Sequence, residues 1–244
     1  MGGAVEESAL PTIPPTMNTP LTGISSMATR QVLAALAEHA AAAGGPAVHW
    51  ESVGGVDAAK RVAAGERFDL VCLAADALDR LLAAGHVQGP RVDLVRSAMA
   101  VAAREGAARP DLATEAALRD AVAAARTIGY STGPSGNHLL ALIERWGLKD
   151  TLAARLVQAP PGVPVAQLVA RGDAELGFQQ MPELAGQPGI TVLGTLPGAA
   201  AQVTTFSAAL GTGTANADAA RAALALFNDE AAAAIKRRCG LEPA

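Results

Sequence analysis

Three stretches of the chain join small or hydroxyl-bearing residues to the start of a helix-like pattern: Ser25-Ser26, Gly54-Gly55 and Ser131-Thr132-Gly133-Pro134-Ser135-Gly136. Each follows a short apolar run of the kind that forms a buried strand. The first N–H groups of a helix have no partner within it, and the helix dipole adds partial positive charge at that end. Hydroxyls, and glycines that let a ligand approach the backbone, therefore suit a small anion. Three such sites converging at one sheet edge would form an anion pocket, although each taken singly also serves as an ordinary helix cap.

Two further pairs have side chains suited to carboxylate recognition. Arg96 and Ser97 interrupt an apolar segment from Val92 to Ala103. A guanidinium there either grips a carboxylate with two parallel hydrogen bonds or snorkels to solvent. Gln179 and Gln180 end a strand-like run before Met181-Pro182-Glu183, and the alternation of strand side chains aims at least one amide at a cleft. Neutral amides recognise carboxylates or hydroxyls without adding charge. The histidines His39, His49, His86 and His138 are scattered and give no Ser/His/Asp order. His138 alone sits in the first turn of a helix behind a polar loop.

No cofactor and no metal are expected. Gly133-Pro134-Ser135-Gly136 lacks both the Gly-Lys-Ser/Thr ending of a phosphate loop and the dinucleotide fingerprint, and no cysteine or histidine spacing suits a metal ion. Cys72 lies in an apolar run and Cys239 in a basic tail, which predicts one buried and one surface thiol. A formal charge of −4 and the lack of a Lys/Arg cluster argue against nucleic acid. No run of about 18 apolar residues is present, so no membrane insertion is expected.

These residues need a scaffold, and the patterning supplies one. Half of the 244 residues are hydrophobic, with alanine in excess and aromatics at only 3%, which suits closely packed helices. Short strands alternate with helices, the sign of an α/β protein with mainly parallel sheets. Strands are predicted at Pro20–Ile24, Ala47–Ser52, Phe68–Ala74, Thr127–Tyr130, Ala174–Gln179, Ile190–Leu193 and Val203–Ala209, while the apolar stretch Val92–Ala103 is long for one strand and suits a segment crossing between two lobes. Helices are predicted at Met27–Ala43, Asp57–Ala64, Asp76–Ala84, Thr114–Ala125, Asn137–Trp146, Val163–Ala170, Ala215–Asn228 and Glu230–Arg238. Residues 1–16 carry Glu6, Glu7 and three prolines where a secretory signal would be basic and apolar. They read as a flexible leader to a cytoplasmic protein, or a periplasmic one had a native signal been removed.

The motifs also have an order. Gly23-Ile24-Ser25-Ser26-Met27 is followed by Ala59 to Gly65, Phe68-Asp69-Leu70 and Arg96-Ser97. Tyr130-Ser131 with Ser135-Gly136, Gly172-Asp173 to Gln179-Gln180 with Glu183, Gly194-Thr195-Leu196-Pro197 and Gln202-Val203-Thr204 complete the set. Taken together, from about Pro20 to Pro243, this resembles the substrate-binding proteins of molybdate-type transporters, and within them a branch that includes aconitate isomerase. The resemblance implies an α/β, two-lobed type 2 periplasmic-binding-protein fold with the ligand cleft between lobes. Lobe 1 would comprise residues 17–97 plus 200–244, and lobe 2 residues 98–199.

It also implies roles. Ser26, with Ser25 beside it, matches the first oxyanion-binding serine, and the backbone donors of the second lobe fall near Ser131 and Gly162. The position of a second serine falls in Gly54-Gly55-Val56-Asp57, which has no hydroxyl, and that of a hinge tyrosine holds Gln180. These departures argue against molybdate or tungstate and for an organic polycarboxylate. The candidate ligand contacts are thus Ser25, Ser26, Gly54, Gly55, Arg96, Ser97, Ser131, Ser135, Gly136, Gly162, Gln179 and Gln180. Arg96 is the expected charged anchor. Were the chain an isomerase shifting an allylic proton, Glu183, His138 and Tyr130 would be the candidate proton carriers. The expected partners are a small anion and, for an exported protein, an ABC transporter permease; the chain is expected to act as a monomer.

Overall fold

The computed structural model describes residues 19–160 and 162–244; the leader predicted at 1–16 lies outside the described residues. Among the described residues, ten strands run in chain order: β1 Leu21–Ser26, β2 Val48–Val53, β3 Leu70–Ala74, β4 Val87–Arg104, β5 Ile128–Tyr130, β6 Leu156–Gln158, β7 Leu176–Gln180, β8 Ile190–Thr195, β9 Val203–Gly211 and β10 Glu242–Pro243. The helices are α1 Arg30–Ala42, α2 Gly55–Ala63, α3 Ala75–Ala83, α4 Glu115–Ala124, α5 Pro134–Arg145, α6 Lys149–Leu152, α7 Val165–Arg171, α8 Met181–Leu184, α9 Ala217–Leu226 and α10 Glu230–Arg238.

The strands form one path, β2-β1-β3-β9-β4-β7-β5-β6, with β8 and β10 also pairing with β4. Its flanks are parallel: β1 with β2 and β3, and β5 with β6 and β7. Its middle is antiparallel, so the sheet is more mixed than the alternation predicts. The reason is β4. It pairs with β9 from Val87 to Ala98, then with β7 and β8 from Met99 to Arg104. The cores divide along the same strand. Leu94 and Val95 pack with Leu33, Phe206 and Phe227, whereas Met99 and Val101 pack with Leu139, Leu142 and Phe178. Both parallel flanks thereby end at the strands' carboxyl edges in helix starts, where open α/β sheets take ligands.

Boundaries differ from expectation in physically clear ways. β1 extends through Ser26, and a 3-10 turn, Met27–Thr29, precedes α1. α5 begins at Pro134 rather than Asn137, because a proline at the first helical position needs no N–H partner and already has a helical φ. β6, α6, α8 and β10 have two to four residues each and carry no periodic signal. Both thiols are free, with Cys72 buried in the core.

Glycines seat two of the helices. Gly129 and Gly177 are partners in the β5–β7 register. A Cβ at Gly177 would stand 2.4 Å from Val169 Cγ2 and 2.9 Å from Val165 Cγ1, so α7 lies directly on a bare patch of strand. In α5, a Cβ at Gly136 would fall 1.6 Å from the carbonyl oxygen of Ser131. The Ser131–Gly133 loop can fold back on its helix only with glycine there. Gly136→Ala is accordingly expected to destabilise the protein by on the order of 3 kcal/mol, read as a lowered urea midpoint with unchanged slope.

Candidate functional site

A cleft of about 530 Å³ opens where the carboxyl edges of the two flanks meet. On one side, Ser26 caps the 3-10 turn leading into α1, and its hydroxyl accepts from the backbone N–H of Ala28 at 3.4 Å. Ser26 Oγ lies 3.5 Å from where a Cβ on Gly55 would stand, so Gly54 and Gly55 leave the floor open to backbone approach. Asp57, in the first turn of α2, turns back on this terminus, its Oδ2 3.1 Å from a Cβ position on Gly54. The positive end of α2 thus already carries a carboxylate of its own, and it is a weaker anion site than the glycine pair suggests.

The opposite wall comes from α5 and from the end of β7. Ser131 and Ser135 share a hydrogen bond at 3.3 Å beside the start of α5, and Gly162 lines the cleft in a turn at φ 77°. Gln179, Gln180 and Glu183 complete this wall. The Gln180 amide nitrogen donates to Thr204 Oγ1 at 3.0 Å, while its buried Oε1 has no partner. Gln179 accepts the Val165 backbone N–H at 3.0 Å and donates to Glu183 Oε1 at 2.7 Å. Burial pushes the Glu183 carboxyl up to about 7, against the opposing effect of the hydrogen bonds from the Gln179 side chain and the Gln180 backbone N–H. A carboxyl in that range exchanges a proton near neutral pH.

Nine of the fifteen residues singled out in the sequence therefore share this cleft, and six lie elsewhere. Ser25 points away from it, its hydroxyl 2.8 Å from that of Ser52, because neighbouring residues of a strand face opposite sides. Gly136 acts sterically under Ser131, outside the lining. Tyr130 donates to Gln158 at 3.3 Å on the β5–β6 side. His138 lines a second cavity of about 820 Å³, where its Nε2 donates to the Ala200 carbonyl at 2.8 Å. Ser97 is buried in β4, opposite Thr204 in register.

The expectation for Arg96 needs correction. Its side chain is exposed, on a strand position between Thr205 and Glu242, and it lines neither cavity. The interruption of an apolar run marked a solvent-facing strand position, not a ligand anchor. Among the described residues, the cation that does line the cleft is Arg30, at the start of α1, with no ion-pair partner. The sequence signal was available: an arginine in the first turn of a helix opposes the dipole, so its placement calls for another reason.

Comparison with known proteins places this architecture. The molybdate-binding periplasmic protein of Azotobacter vinelandii superposes with a TM-score of 0.75 over 91% of this chain and 98% of its own, at 21% identity. The sulfate-binding protein SubI of Mycobacterium tuberculosis H37Rv gives 0.74 over 93% and 87%, at 17% identity. The chain is also 37% identical over 185 residues to an aconitate isomerase from a Pseudomonas species, covering 75% of this chain and 70% of that one. The fold is the type 2 periplasmic-binding-protein fold, as the motif order implied. No helix among the described residues is long and apolar enough to cross a membrane, and the family description gives no support to a cytoplasmic location. Residues 21–242 match the family of bacterial extracellular solute-binding proteins, and the chain belongs to that family.

Proposed function

We propose that the cleft binds a small organic polycarboxylate between two lobes, 17–97 plus 200–244 and 98–199, that hinge where β4 and β9 cross. The observation that carries this reading is the charge layout of the wall. Donors at the starts of the α1 and α5 segments and the Arg30 guanidinium line the same space as the Asp57 and Glu183 carboxyls. A compact tetrahedral dianion needs donors all round, and each unmatched buried partner costs about 1 to 3 kcal/mol. An elongated acid instead sets its carboxylates on the donors and its carbon skeleton toward the carboxyls. In an exported protein, such a ligand would pass to an ABC transporter permease.

A second reading is favoured by Glu183 and by the aconitate isomerase relative. A carboxyl titrating near neutrality in the cleft gives a binder no advantage, whereas an allylic isomerase needs one. In that reaction the Glu183 carboxylate removes a proton from the carbon next to the double bond. The electron pair moves through the double bond toward the adjoining carboxylate, where Arg30 and the helix N–H groups stabilise it. The proton is then returned at the far allylic carbon. His138 and Tyr130, outside the cleft and engaged elsewhere, have no part in this step.

Thermal-shift measurements with citrate, tricarballylate, both aconitate isomers, molybdate and sulfate should raise the melting temperature for tricarboxylates alone. Saturation at 100 times the dissociation constant is worth about 2.7 kcal/mol. A shift with molybdate and none with the acids would refute the polycarboxylate reading. Arg30→Ala is expected to weaken tricarboxylate binding about tenfold at low salt, equivalent to about 1.4 kcal/mol, with Arg96→Ala indistinguishable from the parent by calorimetry.

Glu183→Gln should abolish deuterium exchange at the allylic carbon of trans-aconitate, followed by proton NMR in deuterated water. The same substitution changes the pH profile of folding. Because the folded state holds the Glu183 proton more tightly than the ordinary value of 4.5, its contribution is full below about 4.5 and lost as pH rises through about 7. The parent should lose on the order of 1 to 3 kcal/mol relative to Glu183→Gln across that window, measured by urea unfolding at successive pH values.

A further inference from the structure

We infer that Gln179 holds the proton of Glu183 on Oε2, making Gln179 the positioning residue for the proton-carrying group of the cleft. The location of the proton rests on the donor that Gln179 sets on Oε1; its use on a ligand rests on the isomerase reading above. Gln179 is 4% exposed, and both ends of its amide are engaged. The Val165 backbone N–H can only donate, so the atom facing it at 3.0 Å must be the amide oxygen. Turning the amide over would set two donors against each other. The amide nitrogen is therefore committed to Glu183 Oε1 at 2.7 Å, and it too can only donate. A proton on Oε1 would face that N–H; one on Oε2 does not.

The arrangement is held by close packing. α7 is pressed onto Gly177, which holds the Val165 N–H over Gln179, two residues further along the same strand. Glu183 sits in the first turn of α8, where the Gln180 backbone N–H also supports its carboxylate form. The other charged residues lining the cleft, among those described, are Arg30 and Asp57; the groups acting on Glu183 itself are its enclosure and these two hydrogen bonds. Of the two carboxyl oxygens, Oε1 is the one engaged by the Gln179 amide, and Oε2 is the one that amide leaves for proton exchange.

The test uses the ligand-free protein, so it succeeds or fails independently of which ligand binds. With carbon-13-labelled glutamate, and Glu183→Gln for assignment, the carboxyl carbon of Glu183 is titrated by NMR in the parent and in Gln179→Met. Loss of the donor should hold the proton more tightly and move the midpoint up, by about threefold or more in proton affinity. An unchanged or lowered midpoint in the folded variant would overturn the inference. Infrared difference spectra of the parent against Glu183→Gln at pH 5 give a second readout that needs no Gln179 variant. With the proton on Oε2, Oε1 is the carbonyl oxygen and accepts from Gln179, so its stretch must lie below that of a free carboxylic acid. A band at the free position would place the proton on the other oxygen and sink the assignment.

Discussion

Strand β4 passes from the half of the molecule built on β1 and β3 into the half built on β5 and β7, and the site depends on the backbone hydrogen bonds it makes along the way. From Val87 to Ala98 they go to β9, and from Met99 to Arg104 to β7 and β8. A ladder cannot slip by one residue without turning each side chain to the other face, so the register of β4 holds both halves. The pairing of Met99 with Gln180 places the end of β7, with its two glutamines, opposite the start of the α1 segment. Each half contributes helix starts, and the cleft exists because one strand brings them to a common edge.

Within that frame the wall is assembled from close approaches that larger residues would forbid. Gly177 admits α7, and α7 supplies the N–H that orients Gln179. Gly136 admits the Ser131 loop onto α5. Alanines such as Ala100, Ala102, Ala208 and Ala209 let neighbouring elements pack closely around β4 and β9. The cleft accordingly combines anion-friendly helix starts with a carboxyl that enclosure keeps partly protonated at neutral pH. Those two properties are the ones on which the proposed binding of a carboxylate and the proposed proton transfer both rest.

Much of this was legible in the sequence. Strand-like runs ending in serine or glycine before a helix pattern located Ser26, Gly54, Gly55, Ser131 and Ser135, because capping chemistry is local. Period-two alternation could not separate Ser25 from Ser26 without knowing which face is covered. It also could not find β6 or β10, whose strand character comes from their partners: three residues beside β5 and two beside β4. Arg96 and Arg30 show the limit most clearly. One interrupts an apolar run and faces solvent; the other, in an unremarked first turn, lines the cleft.

The sequence by itself determined the α/β alternation, the helix starts and the residue composition of the cleft edge, since these depend on residues within a few positions of one another. Only the tertiary structure decided which cation meets the cleft and that Glu183 is enclosed enough to keep a proton. Exposure and the direction of a hydrogen bond are set by groups distant in the chain: Gln179 is oriented by Val165, fourteen residues away, and Gln180 is held by Thr204, twenty-four away. Side-chain chemistry names what a residue is able to donate or accept, and the packed neighbours choose which of those bonds it makes.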